Sequence, residues 1–347
     1  MPDPSAGAEP ATVAGSAAAA EPNTVAEPVE VTQPESNAGD ANPDAPYDTV
    51  VIGAGPGGLS VALNLVRARR RTLVLDSNRP RNAATLHSHG YLTRDGISPL
   101  ELRKLGQAEI EGYPDGEFQL ALAQTITATD GGYTVEARGV RGAPNRTVRT
   151  RTVIISTGVV EVMPALPSLR AFYGTSLHSC IECDGYESRD QPLALIGETA
   201  DLADRAILLS QWSADVIVFT NGVGVVTPDD EALLASRGIP VDRRPIADVD
   251  GDRTGLTGIR LQDGTVVPRT AGFLRPVYEP SLAFAADLDL DTNDEGFVTT
   301  DAHGRTSRNG IYAAGDSTQP GPQQLIIAAG AGARVAATVN RDLAFAG

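Results

Sequence analysis

The segment Val50-Val-Ile-Gly53-Ala-Gly55-Pro56-Gly57-Gly58 constrains this chain more than any other. A short, wholly apolar run ends in G-x-G-x-x-G, and a helical pattern from about Pro56 to Arg69 follows it. A second apolar run, Thr72–Leu75, comes next. Strands this short and this apolar belong where both faces of a parallel sheet are covered. Gly53 permits the tight turn, Gly55 lets a pyrophosphate touch the backbone, and Gly58 lets helix and strand pack closely. Pro56 and Gly57 open the helix, whose free N–H groups and positive dipole end suit phosphate. Asp76 ends the second strand 18 residues after Gly58, where a carboxylate is expected to accept from a ribose hydroxyl. The competing reading is a glycine-rich turn in a plain α/β domain; the strand, helix and acid together favour a dinucleotide.

The rest of the chain repeats this topology once. Leu193–Ile196 reads as a strand, about Ala200 to Trp212 as a helix with Leu202, Ala206 and Leu209 on one face, and Asp215–Phe219 as a strand. Alternation between Tyr133 and Ile155 predicts a hairpin running into the buried strand Thr152–Ser156, and Asp263-Gly264 is the turn of another strand pair. A last strand, Gly310–Ala313, leads through Gly315-Asp316 to a helix of small residues starting near Gln323, Gln324 and Leu325. A strand ending in Gly-Asp suits a backbone passing close to a ribityl chain. The helix start would aim its N–H groups at the pyrimidine edge of a flavin.

Two cysteines, Cys180 and Cys183, stand in His178-Ser-Cys180-Ile-Glu-Cys183-Asp184-Gly185. The spacing brings the sulfurs within bonding reach at a turn or helix start, where a thiol is easily ionised. A structural zinc site would need four ligands, and His178, Cys180 and Cys183 give three at most, so no metal is expected. An inert buried pair is the other alternative. His87 and His89, in a polar loop, either flank a flavin or substrate entrance or merely satisfy loop hydrogen bonds; His303 belongs to a turn.

This ordered set of motifs resembles the low-molecular-weight thioredoxin reductases and their flavoprotein relatives. The turn those proteins write alanine-threonine-glycine is Ser156-Thr157-Gly158 here. The resemblance implies two Rossmann-like domains of three-layer ββα build, the second inserted in the first. Residues 47–160 and 274–347 would bind FAD, with Thr157, Gly158, Gly315, Asp316, Gln323, Gln324 and Leu325 among the contacts. Residues 161–273 would form the NAD(P)-binding-like domain carrying the cysteine pair. It also implies a homodimer, a thiol or disulfide substrate (a thioredoxin-like protein or a small dithiol), Cys183 facing the flavin, Cys180 facing substrate and Asp184 moving the proton.

One part of the pattern fails. The second loop reads Ile196-Gly197-Glu198-Thr199-Ala200-Asp201, with one glycine and two acids where a pyrophosphate would lie. The next strand ends in Phe219-Thr220-Asn221-Gly222, without the basic residues that would grip a 2′-phosphate. NAD(P)H binding is therefore in question. The alternative is an FAD-dependent dithiol oxidase using oxygen, of the kind that closes disulfides in natural products; another is a non-catalytic redox sensor.

Composition narrows the setting. The first 46 residues hold eight prolines, twelve alanines and eight acids with no lysine, arginine or aromatic residue, so they are expected to form a disordered tail. Those acids supply half of the net charge of -16, and the remainder is too acidic to favour a nucleic-acid partner. No secretory signal and no run of about twenty apolar residues is evident, which predicts a cytoplasmic protein with no membrane partner.

Overall fold

The computed structural model describes residues 45–318 and 321–346, so the expected tail lies outside the described residues except for its last two. The chain enters β1 (Tyr47–Ile52), turns into α1 (Pro56–Arg67) and returns in β2 (Thr72–Asp76). Pro56 opens α1 where its missing N–H goes unneeded, and Arg69, at a φ of 60, carries the chain out of it. After α2 (Pro99–Glu111) come β3 (Gly116–Thr129), β4 (Gly132–Gly139) and β5 (Arg146–Ile155).

Two of these strands change partners along their length. The start of β3 runs parallel to β2 from Gly116 to Leu120, and its remainder pairs antiparallel with β4. β5 does the reverse, leaving β4 after Thr150 to lie parallel to β1. A meander thereby folds over one face of the parallel sheet. Strand alternation explains the layers. Val50 and Ile52 pack with Ala121, Ile126, Val135 and Val148 of the meander, whereas Val51 packs with Leu59, Val61 and Leu65 of α1.

A two-stranded ribbon and a second sheet follow. β6 (Val159–Val162) leads to α3 (Leu169–Phe172), β7 (Leu177–His178) and α4 (Ile181–Asp184). Then come β8 (Leu193–Gly197), α5 (Leu202–Leu209), β9 (Val216–Phe219), α6 (Pro228–Ser236) and β10 (Val241–Asp242). An antiparallel trio, β11 (Ile246–Asp252), β12 (Gly255–Leu261) and β13 (Val266–Pro268), precedes β14 (Ala271–Arg275). The second sheet is parallel throughout, in the order β10-β9-β8-β14-β7. β15 (Val277–Pro280) pairs back onto β6, and β16 (Ile311–Ala313) rejoins the first sheet beside β5. The closing helix, α7 (Leu325–Phe345), packs against α1. The first sheet is thus completed only after the second has been built.

The helix expected from about Ala200 to Trp212 is shorter at both ends. Thr199 and Arg275 engage the Asp201 carboxylate and hold that stretch as a loop. Trp212 lies against Gly185, whose added Cβ would come within 2.8 Å of its ring. The second core is dense enough to test directly. Phe219 is fully buried among Ile196, Ile246 and Leu274. Phe219→Ala is expected to cost about 3–5 kcal/mol, measured by urea unfolding. Among the described residues no helix is long and apolar enough to cross a membrane.

Candidate active site

The cysteine segment folds as the single turn α4, directly after β7 delivers it from the sheet. Cys180 caps that turn: its Sγ accepts from the Cys183 N–H at 3.2 Å, and the two sulfurs are joined in a disulfide. The disulfide borders a cavity of about 600 Å³, measured with its open mouth. His178 and Asp184 line it beside the sulfurs, and His87, Ser88 and His89 border it from the polar loop. Gln323 and Leu325, at the start of α7, line the same space. The cavity therefore unites the cysteine pair with the helix start expected beside a flavin. His178 places Nδ1 3.2 Å from Asp184 Oδ1 and Nε2 3.2 Å from the Thr175 carbonyl. His303 lies apart in a turn closed by Asp301.

The glycine loop shows why its residues are small. Gly53 has φ 103, and a Cβ there would stand 2.3 Å from the Ser156 carbonyl oxygen. One on Gly58 would stand 1.9 Å from the Gly53 oxygen. One on Gly57 would meet Ser156 Oγ at 2.9 Å and the Ala328 oxygen at 3.3 Å, with Gly315 Cα at 3.7 Å. So the loop, the Ser156-Thr157-Gly158 turn, Gly315 and α7 converge. A Cβ added at Gly55 would meet no atom of the described residues within 4 Å beyond its chain neighbours. Among the described residues, Thr157 Oγ1 is buried without a hydrogen-bond partner, as a group that meets a ligand would be. Open space beside the N-terminus of α1, closed backbone behind it and a waiting hydroxyl fit FAD.

Two acids expected on that cofactor have protein partners. Asp76 Oδ1 accepts from the Ala54 N–H, and Oδ2 accepts from the Asn78 N–H and from Arg103. Asp76 thus braces the glycine loop itself, which the sequence reading did not anticipate. Asp316 Oδ2 accepts from Arg81 at 3.0 Å. Burial pushes the Asp316 carboxyl up, against the pull of Arg81.

Arg81 belongs to a network that sequence reasoning missed. It also donates to Glu161 on β6, whose side chain is only 6% exposed. Glu161 in turn accepts from the Tyr173 and Ser179 hydroxyls at 2.6 and 2.9 Å. Burial, followed by the Glu161 charge, pushes the Tyr173 phenol up, so it stays a donor. A continuous polar chain therefore links Asp316 to Ser179, the neighbour of Cys180. These residues stand 6 to 235 positions apart and share no periodicity. The one local hint was an arginine in the loop after β2.

The second loop is occupied by its own side chains. Asn221, at φ 53, donates to Glu198 at 2.7 Å and accepts from the Ile246 N–H at 2.8 Å. Arg275 donates to Asp201 at 2.7 Å, and Thr199 donates to the other oxygen at 2.6 Å. Burial alone would raise the Asp201 carboxyl, but these hydrogen bonds hold it below the usual range.

A sheet that opens with a glycine phosphate loop, a meander on its other face and a disulfide sharing a cavity with the cradle define a flavoprotein oxidoreductase with a disulfide centre. Residues 47–332 match the pyridine nucleotide-disulphide oxidoreductase family, and the chain belongs to it. Membership implies FAD as the cofactor. The chain is 33% identical to a probable thioredoxin reductase of Arthroderma benhamiae, over 64% of this chain and 56% of that one. It is 29% identical to thioredoxin reductase sirT of Leptosphaeria maculans, over 85% and 93% of the two lengths. Among solved structures, a putative thioredoxin reductase TrxB from Bacillus anthracis superposes with a TM-score of 0.78 at 33% identity, covering 86% of this chain and 99% of that one.

Proposed function

We propose that this enzyme is a thiol–disulfide oxidoreductase working in the dithiol-oxidising direction, with FAD and without NAD(P)H. The observation that carries this reading is the second loop. Glu198 is tied to Asn221 and Asp201 to Arg275, where a nicotinamide dinucleotide would need open backbone and free cations. Two fixed carboxylates there repel a pyrophosphate.

In this reading residues 161–273 retain the shape of a nucleotide domain but serve to present the cysteine pair. Residues 47–160 and 274–347 form the flavin domain. A substrate thiolate attacks Cys180, and the electron pair of the broken bond goes to Cys183. A second substrate thiol then releases Cys180 and leaves as the substrate disulfide. Asp184 moves the proton. When bound, FAD would supply the two-electron acceptor that lets the Cys180–Cys183 disulfide re-form, with dioxygen as the final oxidant and hydrogen peroxide as its product. Gly53, Gly55, Gly57, Gly58, Thr157, Gly158, Gly315, Gln323, Gln324 and Leu325 would hold that cofactor. The cavity suits a small dithiol; a homodimer in the cytoplasm completes the proposal, and size-exclusion chromatography tests the dimer.

The test is anaerobic mixing of the holoenzyme with NADPH and, separately, with dithiothreitol. Dithiothreitol is expected to bleach the flavin and NADPH to leave it oxidised; air should then restore the colour with one peroxide per disulfide formed. Rapid bleaching by NADPH would refute the oxidase and restore a reductase with a protein disulfide as acceptor.

A further inference from the structure

His178 lines the disulfide cavity, yet the exchange just described gives it no task. It closes β7 two residues before Cys180, its ring 6.0 Å from that of Phe273 and its side chain 12% exposed. Asp184, at 16%, is nearly as enclosed. The ring nitrogens meet two acceptors: Nε2 faces the Thr175 carbonyl at 3.2 Å and Nδ1 faces Asp184 Oδ1 at 3.2 Å. A neutral imidazole has one N–H and one lone pair. With the N–H on Nε2 for the carbonyl, the lone pair of Nδ1 would oppose those of an ionised carboxylate. Both contacts close only when a further proton lies between Nδ1 and Oδ1.

We propose that His178 is a positioning residue for thiol–disulfide exchange, aiming the Asp184 carboxyl and storing with it one shared proton for the cysteine sulfur. The inference rests on the thiol–disulfide reading of the site. A substrate thiolate attacks Cys180, and the electrons of the Cys180–Cys183 bond pass to Cys183. The second substrate thiol attacks the substrate sulfur of the mixed disulfide, and the electrons of that bond return to Cys180. The shared proton goes to Cys180, and the proton of the second thiol refills the dyad. One disulfide has replaced another, and the dyad ends as it began.

Other charged and titratable groups lie nearby. Arg81, Tyr173, His87 and His89 line the cavity, Glu182 approaches Cys180 Sγ at 3.9 Å, and Arg205 donates to the Ser179 carbonyl. Among the described residues, the polar contacts of the His178 ring are those to Thr175 and Asp184.

The variant His178→Asn keeps an N–H near the position of Nδ1, so it can still aim Asp184, but it cannot store a second proton. Stopped-flow reduction of the flavin by dithiothreitol, on both holoenzymes between pH 6 and 8, reads the difference. Taking the ratio of the two rates cancels the ionisation of dithiothreitol itself. The ratio of wild-type to variant rate is expected to climb with pH, approaching about tenfold per unit, because a carboxylate alone must draw its proton from solvent. A ratio constant across pH means a structural role only and overturns the proposal. A wild-type flavin that dithiothreitol never reduces overturns the underlying reading and the dyad with it. If the variant does not fold, nitrogen NMR of the wild-type holoenzyme decides, since the chain has only four histidines. Protons bound at or shared with both ring nitrogens of His178 support the dyad, and a neutral ring with a free lone pair on either nitrogen excludes it.

Discussion

Cys180→Ser is expected to leave the flavin bound and to slow its reduction by dithiothreitol at least about a thousandfold. The substitution is mild for the fold. Cys180 caps α4 by accepting from the Cys183 N–H, and serine is among the best residues for that duty. The disulfide joins residues only three apart, so its loss frees little chain entropy. What serine cannot do is act as the electrophile for a substrate thiolate, because the Cys180–Cys183 bond no longer exists. Cys183→Ser removes the same bond from the other side, and the two variants should differ in what remains. With Cys180 intact and lining the open cavity, the Cys183→Ser protein is expected to form a stable mixed disulfide with an aromatic disulfide reagent. Cys180→Ser should do so slowly under the proposal that Cys183 is the sulfur facing the flavin. Flavin reduction at an unchanged rate in either variant would remove the pair from the reaction path, and mass spectrometry of the reagent adducts checks the division of labour.

The elements that the sequence made legible are those governed by contacts within a few residues. The glycine loop needs a left-handed turn at Gly53 and a close approach at Gly58, and both requirements are local. The cysteine spacing matches one helical turn, and α4 is that turn. Asp76 stands at the end of its strand, as its position in the sequence implies, and its carboxylate also accepts from the Ala54 N–H and Arg103, partners that no local pattern announces. What escaped the sequence is long-range. β3 is fourteen residues that satisfy two different partners in turn, so no single alternation runs through it. Arg81, Glu161, Tyr173 and Ser179 are single polar residues from separate segments, joined only when β6 and the cysteine segment meet the loop after β2. In the sequence His178 stands out only as a possible zinc ligand; its contact with Asp184 arises because α4 returns the chain across one turn.

Gly53→Ala and Gly55→Ala are expected to fail for opposite reasons, and the contrast tests the flavin cradle. An alanine at position 53 would adopt a φ near 103 and drive its Cβ to 2.3 Å from the Ser156 oxygen and 2.8 Å from the Ser156 carbon. Neither atom can rotate away, since both belong to the backbone just beyond β5, where Ser156 N–H is bonded to the Ile52 carbonyl. Backbone strain and overpacking together should cost the apoprotein roughly 2–6 kcal/mol. At Gly55 the new methyl meets no atom of the described residues within 4 Å beyond its chain neighbours, so apoprotein stability should hardly change. That methyl would instead stand in the space in front of the loop, and FAD affinity should fall about tenfold or more. Urea unfolding of the two apoproteins and flavin-fluorescence titration separate the effects. If Gly55→Ala binds FAD as the wild type does, the pyrophosphate does not lie against this loop, and the cofactor is held elsewhere.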